Sequence, residues 1–211
     1  MDPNILEKFW KSRKTILEVL IDRKYPIDKK DFLTYDEFVV WVNDTESIDI
    51  ETLKENMGLT YEINNQPDSK IMIFWPKELK VGTNIRTIYR KMEEENVKRA
   101  IIVIDVGVTA FGSATVRGLK QINVNIDIYT FPETLFNVTK HSYVPSHLVC
   151  TPDEKKKIMK SYAVNNSQLP HIKATDPVVR HFGASRGELI QITRDSETQP
   201  GYKSITYRLV V

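Results

Sequence analysis

Cysteine is nearly missing from this chain: Cys150 is the only one in 211 residues. No intrachain disulfide can form, which fits a reducing compartment. Long apolar runs are missing too, and none approaches the ~20 residues needed to span a bilayer. The opening Met1-Asp2-Pro3-Asn4 has neither the charged nor the apolar region of a signal peptide. A soluble, intracellular protein is therefore expected. Neither sign of charge is in excess: 30 Lys and Arg stand against 28 Asp and Glu, a net of +2. That balance argues against a disordered tail and against a dedicated, strongly basic nucleic-acid binder. There is no P-loop, no Gly-x-Gly-x-x-Gly, no nucleophile elbow, no internal repeat and no low-complexity tract.

An apolar fraction of 41% is adequate for a folded core, and the length suits one large domain or two small ones. Charge is unevenly placed. Residues 1–150 carry a net of −2, and residues 151–211 a net of +4, from ten Lys or Arg against six Asp or Glu. The basic C-terminal part reads equally as a solvated face and as a docking surface for an acidic partner.

Apolar positions in 4–24 (Ile5, Leu6, Phe9, Trp10, Ile16, Leu17, Leu20) have the three-four spacing of an amphipathic helix. Thr34 with Glu37 three residues on is a capping-box pattern, opening a second helix with Phe38, Val39, Trp41 and Val42 on its apolar face. A short third helix, near 49–57, is expected to stop at a Gly58 cap. Tyr61 to Ile63 and Ile71 to Trp75 read as strands around the turn 64–69. Helical spacing returns at Ile85, Ile88, Tyr89 and Met92. The β-branched run from Ala100 to Ile104 predicts a strand buried on both faces. A glycine-containing loop, 105–112, should lead to a helix near 113–121, and the alternation of Val124, Ile126 and Ile128 to a strand. Residues 71–129 thus read β-α-β-α-β, which favours a parallel sheet with right-handed crossovers.

A boundary is expected near 138–150, where His141 to His147 shows no periodicity. Thr151-Pro152-Asp153-Glu154 then opens a helix, with Thr151 as cap, Pro152 in the first position and Glu154 closing the box. A further short helix should start at Thr175 or Asp176, with Pro177 in its first turn, and stop at Gly183. Leu189 to Thr193 and Ser204 to Leu209 read as antiparallel strands closing a small α+β domain.

Chemistry-bearing patterns are few. Pro67-Asp68 with Glu78-Leu79-Lys80 has the form of a nuclease motif, which needs carboxylates on adjacent strand ends to hold Mg²⁺ and a lysine to polarise water. Here Asp68 falls in a turn and Glu78 and Lys80 in a loop past Pro76, so no catalytic residue is assigned. His141, His147 and Cys150 are too few and too irregularly spaced for structural zinc, so no metal is assigned and no cofactor is expected. His171 and His181 read as surface or interface residues.

The strongest signal is an ordered set of blocks: Gln168-Leu169-Pro170-His171-Ile172, Asp176-Pro177-Val178-Val179-Arg180, Ile192-Thr193-Arg194-Asp195-Ser196-Glu197-Thr198, and Tyr207-Arg208. They resemble the assembly domain of the RNA polymerase subunit 5 family, shared by the eukaryotic nuclear polymerases, whose C-terminal half resembles its shorter archaeal counterpart. Trp10 to Ile16 with Asp22-Arg23-Lys24-Tyr25 resembles the family's opening helix. Phe74-Trp75-Pro76, Lys80-Val81-Gly82 and Glu94 to Val103 resemble its jaw domain.

The resemblance implies a non-catalytic subunit of a eukaryotic-type DNA-directed RNA polymerase. Residues 1–140 would be a jaw domain with helices and a mixed, partly parallel sheet, related to the restriction-endonuclease fold. Residues 141–211 would be a small α+β assembly domain docked on the largest subunit. The family's Thr-Pro-Ser-Ala loop near downstream DNA falls on Thr109, Ala110, Phe111 and Gly112, of which only the threonine is retained; such a loop would meet phosphates and position DNA without reading it. Gln168, Leu169, Pro170, Asp176, Pro177, Arg180, Arg194, Ser196, Glu197, Tyr207 and Arg208 are the partner-interface candidates, with the arginines suited to forked pairs with carboxylates. His171 stands where the family usually has Arg, His181 where it has an aromatic, and Ser146 where it has a charge, the marks of a divergent member.

Expected partners are the largest and other polymerase subunits and, without sequence preference, downstream double-stranded DNA, with no membrane and no small-molecule substrate. No long basic cluster marks a nuclear import signal, so the subunit would enter the nucleus with its partners. A cellular gene implies the nucleus; a gene of a large DNA virus implies the virion or the host cytoplasm or nucleus. The alternative is a stand-alone Mg-dependent nuclease or a DNA-binding protein derived from the jaw fold, which purification separates from a subunit.

Overall fold

A computed structural model covers the whole chain, and the residues it describes are all but 46–48, 64–68, 77–80, 106–109 and 197–200. The chain forms two compact units, Met1–Phe136 and Asn137–Val211.

In the first unit, α1 (Pro3–Asp22) is capped by Asp2, whose side chain accepts from the Asn4 amide. The helix leaves through Lys24, a non-glycine residue in the left-handed region (φ 71°). Helix α2 (Tyr35–Asp44) starts at the expected capping box: Thr34 accepts from the Glu37 amide and Glu37 accepts from the Thr34 amide. Helix α3 (Ile50–Asn56) is capped by Asp49 but ends on Met57 in the right-handed region. Gly58 is therefore not the left-handed cap that its position suggested. A side chain there would stand 3.3 Å from the Glu55 carbonyl and 3.7 Å from that of Ile73, so close approach is what the glycine permits.

Next come β1 (Leu59–Tyr61), β2 (Ile71–Phe74), α4 (Val81–Glu94), β3 (Arg99–Ile104), α5 (Ala110–Gln121) and β4 (Asn125–Thr130). Strand β1 lies two residues earlier than expected. The amide and carbonyl of Ile63 both bond the Ser69 hydroxyl, at 3.0 Å, so this residue is held by a side chain rather than by a ladder. The sheet runs β1-β2-β3-β4, antiparallel only at β1–β2, and the expected β-α-β-α-β segment is its parallel part. Its strands alternate between two cores. Ile71, Ile73, Ile101 and Val103 join α1, α2 and α3 on one face. Met72, Phe74, Ala100, Ile102 and Ile104 join α4 and α5 on the other. Both crossover helices on one face of consecutive parallel strands is what right-handed connections require.

A buried polar contact crosses the first core. The Trp75 indole N–H donates to Ser12 Oγ at 3.1 Å, and Thr134 Oγ1 lies 2.8 Å from the same oxygen.

In the second unit, β5 (Ser146–Val149), β6 (His171–Ile172), β7 (Leu189–Asp195) and β8 (Lys203–Val210) form a sheet in the order β5-β7-β8-β6. Helix α6 (Pro152–Tyr162) opens on the expected Thr151–Glu154 box. Helix α7 (Pro177–Phe182) is capped by Asp176 and ends on Gly183 at φ 65°, a left-handed position that suits glycine. The stretch 138–150 proves not to be structureless, since β5 lies inside it. As an edge strand it is exposed at Ser146 and Leu148 and half-buried at His147 and Val149, which leaves little hydrophobic signal. His181 is also placed against expectation: it is only 3% exposed, one helical turn after the buried Val178.

Candidate functional site

The long hairpin of the second unit carries most of the interface candidates, and its register sorts them. Ile190 stands opposite Arg208, Gln191 opposite Tyr207, Ile192 opposite Thr206, Thr193 opposite Ile205 and Arg194 opposite Ser204. Directly opposed residues share a face and successive ones alternate. Arg194 and Arg208 therefore lie on the face of Ile190 and Ile192, whose core includes Val179 of α7. Tyr207 lies on the other face, where its ring meets that of Tyr162 of α6 at 5.9 Å. Burial raises the Tyr207 hydroxyl pKa, with Tyr162 and Cys150 adding to it.

Other candidates are absorbed by local structure. Gln168 Oε1 accepts from the Asn165 amide at 2.8 Å, and the Pro170 carbonyl accepts from the Leu209 amide at 2.8 Å. Asp176 Oδ1 accepts from the Val178 amide at 2.9 Å, with Pro177 in the first helical position. These residues fix the approach of β6 and α7 to the sheet. Leu169 and Arg180 are half-buried, Arg194 is exposed and Arg208 is half-buried. The Ser196 amide bonds the Tyr202 carbonyl at 2.8 Å, closing the hairpin end. Glu197 lies outside the described residues. Arg194 and Arg208 share a face but sit four ladder positions apart, ~14 Å along the strands.

The DNA-proximal candidates are repositioned. Helix α5 begins at Ala110, so Ala110, Phe111 and Gly112 form its first turn instead of the expected loop. A glycine there costs little intrahelical bonding, because first-turn amides have no partner within the helix. Thr109 lies outside the described residues. At the preceding strand end, Lys54 of α3, largely buried, pairs with Asp105 at 2.5 Å.

Asp68, Glu78 and Lys80 of the nuclease-like pattern lie outside the described residues. Among the described residues no group of His, Cys, Asp and Glu could hold a metal. His147 Nδ1 sits 2.7 Å from the Pro145 carbonyl, and His141 Nδ1 accepts from the Tyr143 amide at 3.2 Å. His147 pairs with Ile192, and the Cys150 amide bonds the Leu189 carbonyl, so these two side chains point to opposite sheet faces. Burial raises the Cys150 thiol pKa, with Glu154 adding to it. Sequence reasoning missed Leu148, Tyr162 and Ile205, exposed apolar side chains that share the Tyr207 side of the sheet. Only the pairing register brings them together.

These features define a small non-enzymatic type of architecture: an α/β unit with a doubly covered sheet and an α+β unit whose functional candidates are surface charges and apolar side chains. Residues 4–92 match the family described as "RNA polymerase Rpb5, N-terminal domain" and residues 136–210 that described as "RNA polymerase Rpb5, C-terminal domain". The chain belongs to the RNA polymerase Rpb5 family. It is similar to the DNA-directed RNA polymerases I, II, and III subunit RPABC1 of Caenorhabditis elegans, 33% identical over 97% of this chain and 96% of that protein. It is also 33% identical to the DNA-directed RNA polymerase subunit 5-like protein 1 of Arabidopsis thaliana, over 100% of this chain and 99% of that one. The Dictyostelium discoideum subunit rpabc1 is 34% identical, over 94% and 95%.

Proposed function

We propose that this chain is built into a DNA-directed RNA polymerase of eukaryotic type as a non-catalytic subunit acting in DNA-templated transcription. The observation that carries this is the pair of family matches, one to each half of the chain and in the family's order, with relatives aligned over nearly their whole length.

The finer reading assigns each unit a task. The second unit anchors the chain on the largest subunit through side chains of its sheet and of α7. The first unit forms part of the lower jaw, with the start of α5 near downstream DNA. Its parallel β2-β3-β4 core supports the kinship with the restriction-endonuclease fold that the family resemblance implies. First-turn amides of α5 would meet phosphates as donors and read no sequence. With a net charge of only +2, few phosphates can be neutralised, so the free chain should bind DNA weakly and with a shallow salt slope. A nuclear site of action follows from the same reading.

Photocrosslinkers placed at positions 110–112 test the jaw assignment. Crosslinks to downstream DNA should form in the assembled polymerase and not with the free chain. Tight, sequence-selective binding by the free chain would contradict this reading. So would Mg²⁺-dependent DNA cleavage that vanishes in Glu78→Ala.

A further inference from the structure

We infer that the sheet face bearing Leu148, Ile205 and Tyr207 is the docking surface of the second unit, and that its occupant is an apolar segment flanked by acidic residues from another polymerase subunit. The inference rests on the subunit reading above and specifies the contact.

The two faces of this sheet are covered unequally. Helix α7 buries Val178 and Val179, and its side of the sheet holds a closed core of Ile172, Val179, Ile190, Ile192 and Val210. On the opposite side, α6 has no buried residue at all. That helix touches the sheet near its ends, where Lys155 Nζ donates to the Gly187 carbonyl at 2.8 Å and the Tyr162 ring meets Tyr207. The remainder of the face is bare. Leu148, Gln191 and Tyr207 make one row across three strands, and Ser146, Thr193 and Ile205 make the next. Leu148 is 49% exposed, Ile205 50% and Tyr162 61%. Scattered exposed apolar residues are ordinary, but a contiguous set on one face marks a contact surface. Tyrosine and large aliphatic side chains are the kind that anchor such contacts.

Charge selects the occupant. Around the face stand Lys157 and Lys160 on α6 and Lys203 on β8, none of them in an ion pair among the described residues. The acids of α6 are engaged: Glu154 closes the Thr151 cap, and Asp153 pairs with Lys156 at 3.7 Å. A segment with apolar side chains on the rows and carboxylates on its flanks would cover the bare strip and meet these lysines. A second copy of this chain would set lysine against lysine.

Full-length tagged chain, expressed in its own cells and purified natively, tests the assignment. Ile205→Asp and Leu148→Asp should each lower recovery of polymerase about tenfold or more, the size of one anchoring residue. Thr206→Asp, exposed on the opposite face, should not. The thermal midpoints of all three free proteins should match that of the parent. Should Ile205→Asp lower its midpoint, Leu148→Ser carries the test. The double variant Lys157→Glu, Lys160→Glu should weaken recovery and flatten its salt dependence. Normal recovery with both Ile205→Asp and Leu148→Asp would overturn the inference, as would loss with Thr206→Asp alone or self-association of the free chain abolished by Ile205→Asp. If the parent chain itself recovered no polymerase, the subunit reading would fail instead.

Discussion

Ile190 and Arg208 stand directly opposite each other across β7 and β8, one fully buried and the other half-buried. This pair places Arg208 at the rim of the α7-side core, while its neighbour Tyr207 goes to the opposite face. A block that reads as one unit in sequence, Tyr207-Arg208, is thereby divided between two surfaces with different work.

Arg194 is the candidate best placed to act on a partner. It is exposed near the end of β7, opposite Ser204. If it makes a desolvated charged contact, Arg194→Ala should cost about 2–5 kcal/mol of binding, much of it from stranding the opposite charge. Co-purification with the largest subunit should fall while the thermal midpoint of the free protein stays unchanged. A lowered midpoint with normal co-purification would make Arg194 part of an internal network.

The second unit should fold and bind by itself. Asn137–Val211 is compact and has its own core around Val179, Ile190 and Val210. Expressed alone, it should unfold cooperatively and still capture polymerase lacking this subunit. Capture by residues 1–136 alone would reverse the division of roles.

The buried contact between Ser12 and Trp75 should be worth a measurable part of the first unit's stability. Ser12→Ala leaves the Trp75 indole N–H without its partner, at a cost of about 1–3 kcal/mol. Adding Trp75→Phe should recover part of that loss, because the stranded donor is then removed. Purely additive losses in the double variant, measured by denaturant unfolding, would show that the hydrogen bond contributes nothing.

Acid should loosen the first unit at two carboxylates. Glu37 is held below its ordinary pKa by the Thr34 amide and hydroxyl. Glu95 is held below its own by the Lys70 ammonium. A depressed folded-state pKa contributes stability that is present above the unfolded value, ~4.3 for Glu, and is lost as pH falls through the folded value. The thermal midpoint should therefore drop as the solution is acidified below about pH 5, and Glu37→Gln should reduce that slope. An unchanged slope would remove the Thr34 box from the acid response.

Much of this fold is legible in the sequence because local signals and packing agree. The boxes at Thr34–Glu37 and Thr151–Glu154, the Asp176–Gly183 bracket and the β-branched run of β3 each carry their own reason. The misses have physical causes. Strand β5 is an edge whose exposed Leu148 and half-buried His147 show no alternation of apolar and polar residues. Burial of His181 follows from its spacing to Val178, not from its residue type. Arg13, buried on α1 with its Nη1 donating to the Asp31 carbonyl at 2.6 Å, reads as a solvated charge until the neighbouring turn is in place. The strip of Leu148, Ile205 and Tyr207 needs the strand register, which no local pattern supplies.

Native purification of the tagged chain followed by mass spectrometry and a transcription assay tests the central claim most directly. The account predicts that the chain elutes with a large assembly containing the largest polymerase subunit, and that this fraction makes RNA on a DNA template. Elution of the intact chain at the size of a free 211-residue protein, with no polymerase subunit beside it, would contradict the account.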